Sequence, residues 1–150
     1  EYRLTEWSLD GKKRRVLRPV RSWFDNHRMP VNKPDPDGLM PSPSFILKVS
    51  TTEDGLVWVL GRAPDPNWRE SIGPDGQNNN HEKAFDSILE VYDPQAGELV
   101  ASLRVEQGLI WGFSGPNEVF GTVYDNFVPT NAIWRVELTG YSPLREGGNR

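Results

Sequence analysis

The sequence contains no cysteine, only two histidines in 150 residues, and no long apolar run. Without cysteine the chain has no disulfide, no thiolate zinc site and no cysteine nucleophile. The histidines, His27 and His81, lie in separate loop-like segments, and neither His-x-His nor His-Glu-x-x-His occurs. No stretch approaches the roughly 20 apolar residues of a membrane-spanning helix. We therefore expect neither a zinc site nor a membrane span.

Motifs for several common chemistries are also missing. The motif Gly-x-Ser-x-Gly, which holds a catalytic serine, does not occur; the segment Gly112–Gly115 lacks its first glycine. No phosphate-binding glycine loop is present either. The segment Asp35–Gly38 has two carboxylates at a spacing found in calcium loops, but the rest of the twelve-residue pattern is absent, so an ordinary turn is favoured. We expect no metal and no cofactor, and the sequence favours a noncatalytic protein over an enzyme.

The residues that are abundant indicate β structure. Six tryptophans, six phenylalanines and four tyrosines favour strands, while 14 glycines and 13 prolines leave few windows for a long helix. Charge is uneven: the first 33 residues carry nine Lys/Arg against four Asp/Glu, although the whole chain has a net charge of −4. The basic cluster Lys12–Arg15 follows Asp10-Gly11 at a predicted hairpin. An exposed strand kept soluble by charge is favoured there over a nucleic-acid patch.

Alternating apolar residues and turn signals predict nine strands. Leu56–Leu60 is apolar on both faces, which predicts an inner strand between two sheets. The segment His81–Tyr92 also fits an amphipathic helix, but its similarity to the other strand-and-turn units favours a strand from about residue 86. The predicted strands are 2–8, 14–19, 45–51, 56–62, 86–92, 98–105, 109–113, 118–124 and 132–138.

The strand order predicts one unit of four strands between two incomplete ones. Residues 45–105 make a complete meander, 109–138 supply three strands and 2–19 supply two. Two long loops, 20–44 and 63–85, interrupt the pattern, and loops of this length are often functional. Ordinary polar loop residues are favoured there over a site. The residues in these loops that are most suited to bind a peptide or sugar are polar or aromatic: Trp23, Asp65, Trp68, Asn80 and His81. The strand tryptophans, Trp7, Trp58, Trp111 and Trp134, are expected in the core.

Two motifs resemble the C-terminal half of bacterial six-bladed β-propellers of the NHL and YVTN-type group. Glu53–Leu60 is similar to a blade motif with Asp, Gly and Trp-Val, and Ile88–Val100 is similar to a hydrophobic strand followed by Asp-Pro-x-Thr-Gly-Glu. Gly115–Gly121 and Trp134–Leu138 fit a following blade. The resemblance implies an all-β propeller-type repeat of four-stranded antiparallel blades. A closed six-bladed ring needs roughly 250–300 residues, so it implies an incomplete propeller of two to three blades.

The function implied by this resemblance is broad, because propellers host many activities. The expectation is a noncatalytic binding or scaffold module. The alternatives are a metal-dependent enzyme of the propeller face, lyase- or lactonase-like, and nucleic-acid binding through the basic N-terminal hairpin. Incomplete blades expose edges and apolar faces, so the expected partner is a second propeller half or a second copy of the chain. An extracellular or periplasmic location is expected, with a cytoplasmic one left open.

Overall fold

The structure is a computed structural model that describes residues 2–24, 38–39, 41–77, 80–106, 108–125 and 128–139. Within these residues the protein is all-β, with three antiparallel sheets. The helical segments in this part are a 3-10 turn at Trp68–Ser71 and one helical turn, α1, at His81–Ala84; neither is long and apolar enough to cross a membrane. The strands are β1 (Leu4–Trp7), β2 (Lys13–Leu17), β3 (Phe45–Thr51), β4 (Val57–Pro64), β5 (Phe85–Asp93), β6 (Glu98–Val105), β7 (Leu109–Gly115), β8 (Glu118–Asp125) and β9 (Val128–Arg135).

The central sheet is a four-stranded antiparallel meander in the order β3-β4-β5-β6. Turn residues set its connections: Gly55 has a φ of 82° between β3 and β4, and Gly97 has a φ of 75° between β5 and β6. Glycine reaches this left-handed region without a steric penalty. Asp93 tightens the second turn, because its Oδ1 accepts hydrogen bonds from the backbone N–H groups of Gln95 (2.7 Å) and Ala96 (3.1 Å). The meander of four strands predicted for residues 45–105 is therefore present, with tight turns between β3 and β4 and between β5 and β6.

Other parts of the chain cover both faces of the central sheet. The opposite sides of β4 point into different clusters, because side chains alternate along a strand. Trp58 packs toward the sheet β7-β8-β9, whereas Val59 packs toward the N-terminal segment, and both are at most 2% exposed. The predicted inner position of Leu56–Leu60 is therefore confirmed. The first cluster contains Leu56, Trp58, Leu60, Leu89, Val91, Ile110 and Val119, and the second contains Tyr2, Val59 and Tyr92, with Trp23 and Phe24 packed against it.

The two outer sheets are smaller than the central one. β1 and β2 form a hairpin, and β7, β8 and β9 form a three-stranded sheet. Val119 and Trp134 of the latter pack inward, so their strand neighbours point away from the core. We call this outward side the end face, and its exposed apolar residues are Trp111, Phe120 and Ile133. Phe120 and Ile133 are cross-strand partners, so the end face carries a continuous apolar strip.

All nine predicted strands are present; β3 and β6 have the predicted bounds, and the other seven have shifted ends. β9 begins at Val128 and ends at Arg135, earlier than the predicted 132–138. The helical alternative for His81–Tyr92 is wrong beyond Ala84, because β5 pairs with β4 from Phe85 onward. The loop predicted at 63–85 is shorter than expected, since β4 continues to Pro64. Most of the loop 20–44 lies outside the described residues.

Two of the four strand tryptophans are not in the core. Trp58 is buried and Trp134 packs against the first cluster, as expected. Trp7 is 61% exposed and Trp111 is 43% exposed, so the prediction was wrong for both. The physical reason is their position: Trp7 lies on the two-stranded hairpin and Trp111 on the end face, where the described residues cover them only in part.

Candidate binding site

Four of the five predicted binding residues lie between β4 and β5. The backbone N–H of Trp68 donates to the carbonyl oxygen of Asp65 at 3.0 Å, which joins the two residues in one turn. Asn80 is half-buried and precedes His81, the first residue of α1. A cavity of about 200 Å³ lies beside Trp68. It is smaller than the roughly 300–1,000 Å³ of most ligand pockets.

The fifth predicted residue, Trp23, has different contacts. Its ring packs edge-on against Tyr2 (5.6 Å between centroids) and Phe24 (5.4 Å), and its Nε1–H donates to Glu90 Oε1 at 2.9 Å. The outer edge of the ring lies over Gly61, where a Cβ atom would be 2.5 Å from Trp23 Cη2. Trp23 is therefore half-buried and fastens the N-terminal segment to the central sheet. Its role as a ligand contact stays a prediction.

Glu90 is the centre of a buried hydrogen-bond cluster. Its carboxylate is 1% exposed and accepts hydrogen bonds at Oε2 from Tyr2 Oη (2.8 Å) and Tyr92 Oη (2.5 Å). Arg21 Nε lies 3.1 Å from Oε1 and also donates to Tyr92 Oη at 3.0 Å. Burial, followed by the hydrogen bond to Glu90, raises the pKa of Tyr92 to about 12. Together with Trp23, four hydrogen-bond donors surround the carboxylate of Glu90. The cluster around Glu90 therefore has a structural role.

A second buried carboxylate, Asp86 on β5, is bonded to an arginine on β6. Asp86 is fully buried, and Arg104 Nε donates to its Oδ2 at 2.6 Å. Arg104 also donates from Nη2 to the carbonyl oxygen of Pro64 at 3.0 Å, at the end of β4. Burial raises the pKa of Asp86; the Arg104 guanidinium opposes this rise, and the carboxylate of Asp65 adds to it.

The raised pKa of Asp86 predicts how stability depends on pH. Because the folded state holds this proton more tightly, its contribution is complete below pH 3.8 and is lost as pH rises through the raised pKa. The Asp86→Asn variant does not titrate there, so its stability relative to wild type should increase as pH rises from about 4 toward 7. Urea unfolding across this range measures the difference.

The matched control is Asp10→Asn. Hydrogen bonds from Ser8 and Lys12 lower the pKa of Asp10 in the folded state. Its contribution is present above pH 3.8 and lost as pH falls through the folded pKa. This variant should therefore lose stability relative to wild type as pH rises. The same sign of pH dependence for both variants would contradict the assignment.

A buried cation lies on the opposite face of the central sheet. Arg62 is 3% exposed, donates from Nη2 to the carbonyl oxygen of Ile110 at 2.5 Å and also bonds Ser87 Oγ. Its guanidinium lies 5.3 Å from the ring centroid of Trp111. Burial lowers the pKa of Arg62 to about 10. Since Ser87 Oγ also accepts from the N–H of Ile110 (2.9 Å), this cluster joins β4 and β5 to β7.

A large cleft lies between the N-terminal hairpin and the central sheet. We call it the hairpin cleft; its volume is about 890 Å³, within the range of ligand pockets. Its lining includes apolar Leu4, Ile46, Val49 and Val57 and charged Arg3, Glu6, Arg14 and Arg15. It overlaps the predicted basic cluster, of which Lys12 is paired with Asp10 at 2.9 Å and Arg14 with Glu6 at 3.8 Å.

Sequence reasoning did not select this cleft or the buried charges. One signal was available: Glu90 and Arg62 interrupt apolar strands, and a charged residue inside such a run must find partners when it is buried. The sequence does not show which residues these partners are, because Tyr2, which bonds Glu90, is 88 residues away from it. Of the other candidates, His27, Asp35 and Asp37 lie outside the described residues. The described residues contain no group of three or more His, Cys, Asp or Glu arranged to hold a metal ion.

Comparison of the chain with family models, curated proteins and solved structures gave no match.

Proposed function

We propose that this chain is a noncatalytic binding or scaffold module of propeller type, which works together with a further polypeptide. The observation that supports the proposal most is the stacking of its three sheets in chain order. The central one has four strands and is covered on both faces, whereas its neighbours have two and three strands. This is the arrangement expected of one complete blade between two partial ones.

The buried charged groups support a noncatalytic role. Glu90 is enclosed by four donors, Asp86 is held by Arg104, and Arg62 is bonded to Ser87 and a backbone carbonyl. Apart from the hydrogen bond between Tyr92 and Glu90, which both lie on β5, these contacts join separate segments of the chain. Charged groups held in this way are committed to contacts within the chain, because leaving one of them unpaired in the interior is expensive.

The end face supports association with another chain. Ile133 is 67% exposed, Trp111 is 43% exposed and Phe120 is 41% exposed. Soluble proteins keep contiguous apolar patches small unless the patch binds something. A second copy of the chain, or a second propeller half that supplies the missing strands, would cover this face.

Light scattering and a hydrophobic dye test this proposal. The wild-type chain should either exceed its monomer mass of 17.0 kDa or, as a monomer, bind the dye. Ile133→Lys should reduce both the association and the dye signal, because it places a charge in the end face. Leu103→Lys is the control, since Leu103 is 50% exposed on β6 and not on the end face.

The outcomes separate the alternatives. Association lost in Ile133→Lys supports a second copy as the partner, and dye binding by a monomer supports a different chain. A monomer that remains soluble at high concentration and binds no dye would overturn the proposal. Equal effects of the two lysine variants would also contradict the role of the end face.

A further inference from the structure

The hairpin cleft exists because the N-terminal hairpin covers only part of the central sheet. Tyr2, just before β1, bonds Glu90 on β5, and Arg15 on β2 donates from Nη2 to Gln95 in the β5–β6 turn at 3.3 Å. The hairpin therefore lies over the β5–β6 side. Toward β3 the same face remains open, and Val49 is 50% exposed there. The cleft is the space between this open part and β1.

One wall of the cleft is a strand edge. Four consecutive residues, Arg3 to Glu6, line it. Consecutive strand residues point to opposite faces, so a cleft lined by all four runs along the edge of β1. Among the described residues β1 pairs with β2 alone. Its other edge therefore offers backbone N–H and C=O groups, which is the geometry that an added strand requires.

The charge of the cleft indicates what kind of strand fits. Three arginines, Arg3, Arg14 and Arg15, line it against one acidic residue, Glu6. Arg15 Nη1 is shielded from solvent and has no hydrogen-bond acceptor among the described residues. A shielded cationic N–H group without an acceptor is unfavourable. A carboxylate is the partner that a guanidinium binds best.

We propose that the hairpin cleft binds an acidic segment of a partner polypeptide in extended conformation. The segment adds a strand to the open edge of β1, places its carboxylates against Arg3 and Arg15, and lays alternate apolar side chains on Val49 and Val57. The inference rests on the proposed function as a binding module. The peptide would occupy the side of the central sheet opposite the end face. An experiment can therefore contradict peptide binding without contradicting association through the end face, and the reverse also holds.

A labelled, end-blocked peptide of alternating glutamate and valine is the probe. It should bind in a fluorescence anisotropy titration, and the peptide with glutamine in place of glutamate should bind roughly tenfold more weakly or worse. Arg15→Gln should weaken binding of the acidic peptide by a similar factor. Amide hydrogen exchange within Leu4–Trp7 should slow in the complex, because an added strand protects the edge of β1.

Val49→Asp tests the floor of the cleft by placing a negative charge beside the peptide. It should abolish binding, whereas Leu103→Asp, at a position equally exposed at 50%, should leave it unchanged. Equal binding of the two peptides, or binding unaffected by Arg15→Gln and Val49→Asp, would overturn the proposal. Free glutamate competing as strongly as the peptide would also overturn it, in favour of a small-anion site. Ile133→Lys should leave peptide binding intact even where it removes self-association.

Discussion

Replacing Glu90 with alanine should lower the free energy of unfolding by about 3–5 kcal/mol. The carboxylate is 1% exposed and is the common acceptor of two tyrosines, a tryptophan and an arginine. Without Glu90, the indole N–H of Trp23 and the guanidinium of Arg21 remain in a partly buried cluster with no carboxylate to accept their hydrogen bonds. Unfolding in urea, followed by tryptophan fluorescence, measures the loss.

Two further variants make this result specific. Glu118→Ala removes a more exposed ion pair to Arg135, 3.0 Å long, and should change stability by at most about 1 kcal/mol. Glu90→Gln keeps one acceptor oxygen and should fall between the two. A loss at Glu90 no larger than the loss at Glu118 would show that the cluster does not fasten the N-terminal segment to the sheet.

The second large effect is expected at Trp58. This side chain is 2% exposed in the cluster between the central sheet and β7-β8-β9, and Trp58→Ala should cost about 3–5 kcal/mol. Its Nε1–H has no acceptor among the described residues. The indole therefore contributes through packing, and the loss reflects the cavity that alanine leaves.

Tryptophans elsewhere in the chain are the controls for Trp58. Trp7→Ala should change stability little, because Trp7 is 61% exposed. Trp68→Ala, in the loop between β4 and β5, should also cost much less than Trp58→Ala. Similar losses at Trp58 and Trp7 would mean that the core is not where the structure places it.

The strands could be predicted because their signals are local. Gly55 and Gly97 mark turns whatever the rest of the chain does, and alternation marks each strand between them. The apolar run Leu56–Leu60 even predicted cover on both faces, because such a strand would otherwise expose one side. The exposure of Trp111 could not be predicted from local sequence signals in this way. It depends on whether a further sheet lies against the end face, and the sequence of β7 carries no sign of that.

The candidate sites depend on contacts distant in sequence. Trp23 lies in a loop by composition, and only the position of Glu90, 67 residues away, shows why its ring is half-buried. The hairpin cleft is lined by residues of β1, β2, β3 and β4, so no single segment carries its pattern. The sequence shows the basic cluster Lys12–Arg15. Which of these side chains line a cleft depends on how the hairpin packs against the central sheet.

The central claim is that the chain itself covers both faces of its four-stranded sheet. Nuclear Overhauser contacts test it most directly. We expect contacts between Trp58 ring protons and the side chains of Ile110 and Val119 on one face, and between the rings of Tyr2 and Tyr92, whose centroids are 6.3 Å apart, on the other. Contacts on one face alone, with the other open to solvent, would contradict the claim.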